Sequence, residues 1–164
     1  MPLMQFCSNC WAENPIGATV CDRCGTALSE NEPIFYDQKL MRALHHPILE
    51  TREMAAMLLG QRRDQPALPV LMSRLFEETD MGVLCAISKA LGLLGDCQAV
   101  ASLSKRLAQP NALVVALTIV EALAALAQTG CWEALDVLKA SPPVPERVAQ
   151  EITGRLETLN RLYY

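Results

Sequence analysis

Four cysteines near the N-terminus have the residue type and spacing to do recognisable chemistry. Cys7-Ser8-Asn9-Cys10 and Cys21-Asp22-Arg23-Cys24 form two CxxC pairs. Thiols so spaced suit one tetrahedral Zn²⁺: each pair presents two sulfurs from a tight turn, and the link between the pairs returns the chain as a hairpin. Two disulfides or a redox pair would use the same residues, although a thioredoxin-like CxxC needs a βαβ context that is missing here. An iron site of the rubredoxin type takes similar ligands and stays open on spacing alone. A closed set of four thiolates leaves no position for substrate, so the expectation is one structural Zn²⁺ on Cys7, Cys10, Cys21 and Cys24.

Beyond these, no reactive cluster emerges. His45 and His46 precede Pro47 at an expected helix end, where they can interact with the last carbonyls. Cys97 and Cys131 open second helices of successive units and are expected as small apolar or exposed thiols; Cys85 is expected in the core. GxSxG, Walker and dinucleotide glycine patterns do not occur. The sequence therefore predicts a protein that binds rather than one that catalyses.

The elements that must position the four thiols are small. Leu3, Phe6, Trp11, Ile16, Val20 and Leu28 are too few to make a core, so metal binding and folding should be one event. Asn14-Pro15-Ile16-Gly17 is turn chemistry. Gly25 follows Cys24 where a knuckle bends sharply, whereas Trp11 holds the corresponding place after Cys10. The stretch FCSNCWAENPIGATVCDRCGTAL resembles the short bacterial zinc-ribbon module. That resemblance implies a β zinc ribbon over residues 1–31 with the same four ligands, and Trp11 departs from its usual glycine. Trp11 is a candidate to pack the ribbon against the rest of the chain.

After a polar linker at Ser29–Pro33, residues 32–164 read as a second domain. Half of the 164 residues are apolar (51%) and aromatics are scarce (5%), which favours helices packed on helices. Helices are expected at about 34–45, 48–59, 66–78, 81–94, 97–108, 112–128, 132–140 and 145–161. Asp80 and Asn111 should be N-caps, and Gly60 to Asp64 and Gly95-Asp96 should break units in two. The pattern repeats every 32 residues: Gly60 falls on Gly92, Asp64 on Asp96, Leu71 on Leu103, Arg74 on Arg106 and Leu91 on Leu123. Paired helices at such a period predict a mostly α solenoid of antiparallel helix pairs. Ile34 to Leu44 would cap one end. The stripe Val148, Ile152, Leu156, Leu159 and Leu162 would cap the other.

Pro47 to Gly60, followed by Pro66-Ala67-Leu68-Pro69-Val70-Leu71, resembles a HEAT repeat of the short bacterial type also seen in phycobilisome lyases. The resemblance spans about residues 34–160, assigns Arg52 to the helix-A arginine and Ala55-Ala56 to the tight helix contact, and implies a HEAT-like α-solenoid.

Charge and cysteine usage narrow the partners. A net charge of −4, made more acidic by four metal-bound thiolates, argues against nucleic acid tracked by its phosphates. The apolar run Ala112 to Ala127 is shorter than the ~20 residues of a spanning helix. Metal-type cysteine spacing and no signal-like N-terminus point to the cytoplasm. Arg74 and Arg106 recur at one repeat position beside Lys105 and Lys139, forming a possible basic ridge for an acidic protein segment or larger complex, with Trp132 as its aromatic anchor. The leading expectation is an adaptor or assembly subunit. A lyase-like or chaperone subunit for a bilin or pigment protein, implied by the repeat type, is the alternative; a ribbon contact to RNA polymerase or RNA is a third.

Overall fold

The computed structural model describes residues 4–28, 36–140 and 144–163. Expectations for Leu3, the Ser29–Pro33 linker, Ile34 and the Leu162 side chain lie outside them. A two-stranded antiparallel hairpin, β1 (Met4–Phe6) and β2 (Glu13–Pro15), spans the first CxxC pair. Eight helices then follow among the described residues: α1 (Tyr36–Ala43), α2 (Leu49–Arg62), α3 (Leu68–Glu77), α4 (Met81–Leu94), α5 (Ala99–Leu107), α6 (Leu113–Gln128), α7 (Trp132–Lys139) and α8 (Glu146–Tyr163). A 3₁₀ turn at Gln65–Ala67 leads into α3. The array is the expected solenoid of helix pairs, and its leucine-rich interior is continuous from Leu40 to Leu159.

The helices fall into two layers. One contains α2, α4, α6 and α8, each packed closely on the next; the other contains α3, α5 and α7, which touch one another less. Backbone approach explains the difference. A Cβ on Gly60 would lie 2.6 Å from Ala90 Cα, and one on Gly92 would lie 2.9 Å from Ala122 Cα. The Gly–Ala contact thus recurs one repeat later and brings α2, α4 and α6 together. Gly60 was expected to end a helix; instead α2 continues to Arg62, and Arg63 closes it in the left-handed conformation (φ 53°). Gly95 does terminate its helix, at φ 73°.

Capping follows the sequence in one case and reverses it in another. Asp80 accepts a hydrogen bond from the Val83 N–H at 3.0 Å, the expected N-cap. Asn111 does not cap α6, whose N-cap is Ala112. Its amide instead donates back to the carbonyls of Arg106 (2.8 Å) and Gln109 (2.7 Å), closing the end of α5. An asparagine between two helices can serve either one, and the following Ala112 already adopts the extended conformation an N-cap needs.

Glu78 locks the first unit. Arg52 holds both its oxygens (2.8 and 3.3 Å), Arg74 a third contact at 2.8 Å, and the Thr79 and Asp80 N–H groups add two more. Arg52 also donates to the His46 carbonyl, so it ties the end of α1 to the end of α3. Burial alone would push the Glu78 carboxyl up. The Asp80 N–H, the Arg52 guanidinium and the Thr79 N–H outweigh it and hold the group below the usual glutamate range.

This packing sets the sign of two substitutions. Gly60→Ala should cost about 1–3 kcal/mol by overpacking, whereas Gly154→Ala in α8, with open space around it, should gain about 0.5–1 kcal/mol; urea melts of both variants check this. A carboxyl depressed in the folded state contributes stability that is fully present above its unfolded pKa of about 4.3 and lost as pH falls through the lower folded value. Glu78→Ala should therefore lose about 3 kcal/mol at neutral pH and show a flatter stability profile than the native chain between pH 5 and pH 3 (about the carboxylate range), measured by urea melts at each pH.

Candidate metal centre

The described ribbon residues have no apolar core. Phe6 (58%), Ile16 (59%) and Val20 (51%) are exposed. The buried residues among 4–28 are Cys7, Asn14 and Cys21. What holds this segment together is therefore the cysteine cluster and its hydrogen bonds. The hairpin brings one knuckle into place and a bridge between Val20 and Ala27 brings the other.

The two knuckles are built alike. The Cys7 N–H donates to the Ala12 carbonyl and the Cys21 N–H to the Thr26 carbonyl, at 2.9 and 2.8 Å. The Trp11 N–H donates to the Cys7 carbonyl and the Gly25 N–H to the Cys21 carbonyl, both at 2.9 Å. Trp11 and Gly25 share the left-handed conformation, at φ 59° and 70°. The knuckle turn is therefore kept without glycine, at a cost of about 1–2 kcal/mol for a side chain in that region.

All four sulfurs lie within 4.8 Å of one another. Cys7 and Cys24 are 3.6 Å apart, as are Cys10 and Cys21. A disulfide needs about 2.05 Å, whereas four sulfurs at ~2.3 Å from one tetrahedral ion stand about 3.8 Å apart. The set therefore fits a metal ion and does not fit two disulfides. Protonation points the same way. Thr26 pulls the Cys24 thiol down to about 5. The Ala12 backbone hydrogen bond pulls Cys10 down, yet burial and the sulfurs of Cys24, Cys21 and Cys7 outweigh it and push that thiol up to about 12. Four thiolates so close repel one another until a cation joins them.

Two asparagines orient the sulfurs, and sequence reasoning assigned neither to the site. Asn14, read as a turn residue, is buried; its amide reaches Cys21 Sγ (3.6 Å) and the Ala12 carbonyl (2.8 Å), while its oxygen accepts from the Asp22 N–H. The Asn9 N–H lies 3.4 Å from Cys7 Sγ, and its side-chain amide 3.7 Å from Cys24 Sγ. Such outer contacts fix ligand geometry. Asparagine inside or just after a CxxC pair is the signal that could have found them.

Trp11 also fastens the ribbon to the helical array. Its indole N–H donates to the Arg42 carbonyl at 3.1 Å, and its ring meets His46 edge-on at 4.2 Å between centroids. Arg42 returns a hydrogen bond to the Ser8 hydroxyl (3.3 Å). The His46 side chain serves the next helix rather than the last carbonyls of α1 as expected: its Nδ1 accepts from the N–H of Ile48, the N-cap of α2. Beside this junction Asn9, Cys10, Arg23, Cys24 and His45 line an open polar hollow of about 470 Å³.

The proposed ridge residues fare unequally. Arg74 is turned inward to Glu77 and Glu78, its side chain 14% exposed, so its charge is neutralised within the first unit. Arg106 reaches Gln109 at 3.3 Å, and Lys105 sits 5.3 Å above the Phe76 ring. Lys139 and Trp132 are exposed on α7. The repeat position shared by Arg74 and Arg106 therefore does not form a continuous row of unpaired cations. Cys97 and Cys131, expected as separate thiols, are joined in a disulfide between successive units. The cytoplasmic expectation rested on thiols read as reduced, and with this pair joined, cysteine usage no longer singles out that compartment. No described helix is long and apolar enough to cross a membrane.

The chain should bind one metal ion per molecule, and chelation should remove amide protection from residues 4–28 while the helical circular dichroism persists. Trp11→Gly should keep the metal at least as tightly, because glycine suits φ near +60°. It should also raise amide exchange at Arg42 to His46 several-fold as the ribbon comes loose. Metal titration and hydrogen-exchange mass spectrometry check both.

Comparison with known proteins agrees with the architecture. No curated protein matches the chain. A family model described as HEAT repeats matches residues 38–124, from inside α1 to inside α6, without singling out the lyase type. That match covers more than half of the chain and coincides with the Gly–Ala-packed helix pairs, so the protein belongs to the HEAT-repeat family.

Proposed function

We propose that this protein is a non-enzymatic adaptor or assembly subunit, in which residues 32–164 present a protein-binding surface and residues 1–31 form a structural Zn²⁺ ribbon. HEAT repeats are an architecture of protein interaction, and the four-thiolate set suits zinc held for structure. The observation that carries the reading is a groove over the close-packed layer. Small residues at the helix contacts leave two hollows side by side, of about 260 and 270 Å³. Met57, Ala86 and Leu93 line the first together with Glu53 and Gln61; Leu93, Ala122 and Ala125 line the second together with Glu121. Lys89 borders both, exposed and without an ion pair among the described residues.

The two hollows meet at Lys89, and their apolar linings suit a segment with two bulky apolar side chains and one carboxylate between them; Glu53 in the first hollow and Glu121, which is paired with Arg155, in the second disfavour further acidic residues. Adjacent helices lie about 8–10 Å apart, a span that roughly three residues of extended chain cover. The acidic partner expected from the sequence is kept by this reading, but its cation moves from the Arg74 position to Lys89. Apolar burial supplies affinity, and the Lys89 charge at the shared rim fixes register.

Affinity purification from the source organism with quantitative mass spectrometry tests this. Lys89→Glu and Leu93→Asp should each reduce recovery of the specific partners by about tenfold or more, the effect of roughly 1.4 kcal/mol. Lys105→Glu and Lys139→Glu on the opposite layer should leave recovery within about twofold, well under that 1.4 kcal/mol. The reverse pattern would return the binding surface to the α3–α5–α7 layer.

A further inference from the structure

Cys97 lies in the turn between α4 and α5, and Cys131 in the turn between α6 and α7, as the N-cap of α7. These are matching turns of consecutive units, and the disulfide closes the seam between them, with Cα atoms 5.4 Å apart. One unit earlier the same seam is closed differently. Gln65, one 32-residue period before Cys97, donates from its side-chain amide to the Leu94 carbonyl at 2.9 Å. One structural position is thus used as a hydrogen bond in one seam and as a sulfur pair in the next.

The two sulfurs are unequal. Cys97 is exposed and Cys131 is 1% exposed. Exchange begins when a thiolate reaches a disulfide sulfur, so access directs attack to Cys97. Cys131 would then leave at the N-terminus of α7, where backbone N–H groups stabilise a thiolate and make it the better leaving group. Its sulfur also lies 3.9 Å from the Gly95 carbonyl, which can receive its S–H after protonation.

We propose that Cys97–Cys131 is a reversible thiol–disulfide exchange site whose co-reactant is a low-molecular-weight thiol of the glutathione class, entering at Cys97. The thiolate forms a mixed disulfide with Cys97 Sγ as the Cys97–Cys131 bond breaks, and Cys131 takes up a proton. A second thiolate attacks the small-molecule sulfur of that mixed disulfide and releases Cys97. Two electrons pass to the protein, and two small thiols become one disulfide; oxidation is the reverse. The Gly92–Ala122 contact lies in the other layer, so the repeats stay stacked while the seam between the second and third units loses its covalent tie.

The test uses the full metal-loaded chain in graded mixtures of reduced and oxidised glutathione, quenched with acid, alkylated and mapped by peptide mass spectrometry. The pair should pass from joined to open across the series with unchanged helical circular dichroism, and early time points should show glutathione on Cys97. Cys131→Ser should accumulate glutathione on Cys97, at least tenfold more than Cys97→Ser accumulates on Cys131. The proposal is overturned if the pair never joins at any ratio, if it opens only after the chain is unfolded, or if Cys131 is labelled as fast as Cys97. Should either variant fail to fold, the site labelled first in the native chain decides the same point.

Discussion

Backbone contact between the first helices is the constraint on which the array depends. Glycine at 60 and 92 allows α2, α4 and α6 to approach until a methyl group would collide with the alanine opposite. Close axes on one side, with leucines and longer side chains on the other, curve a stack toward the closer layer. The same small residues that permit the approach also leave shallow hollows on its surface, rimmed by Met57, Lys89 and Leu93. On the proposed reading, packing and recognition share a cause: side-chain volume missing at the contact becomes space for a partner's side chains.

The opposite layer has no comparable contact and is joined at its turns. At the turns, Gln65 and the Cys97–Cys131 pair hold successive seams by links of different strength. A net hydrogen bond contributes roughly 1 kcal/mol. A disulfide joining residues 34 apart in sequence contributes about 3–4 kcal/mol through the unfolded state. Cys131 follows Cys97 by 34 residues, more than the 32-residue period, so residues are inserted at the turn Thr129-Gly130-Cys131, and this longer turn, with Gly130 at φ 97°, lets the later sulfur reach back across the seam. An insertion that breaks the repeat period is thus the feature that makes the stronger link possible.

Much of this organisation was legible because it repeats or is local. The 32-residue period, the Asp80 cap and the paired CxxC turns each follow from neighbours in sequence, and the structure places helices and sulfurs accordingly. Features that depend on a distant partner were hidden. Arg74 resembles Arg106 by position, yet only the fold reveals that Glu78 gathers both Arg52 and Arg74 into one buried site. Asn111 had two helix ends within reach, and geometry rather than propensity chose the earlier one. Cys97 and Cys131 occupied comparable turns, but their closeness depended on how the inserted residues bend. For the ribbon, the ligands were visible and the asparagines supporting them were not, because ordinary turn preference already accounts for asparagine there.

Trp11 joins these two kinds of information. Local knuckle geometry asks for glycine, and the chain instead holds a tryptophan in the left-handed region at a cost of about 1–2 kcal/mol. Nothing inside the ribbon offsets this, since the residue packs outward, giving its indole N–H to Arg42 and its edge to His46. The compensation must come from the helical array. There the Arg42 carbonyl, in the last turn of α1, accepts from the His45 N–H and keeps a second lone pair for the indole. A ribbon without an apolar core is thereby oriented by the same residue that closes its first knuckle. With an ion held by the four sulfurs, as proposed, its loss would loosen that knuckle and its hold on α1 together, coupling how the ribbon sits on the repeats to whether it folds.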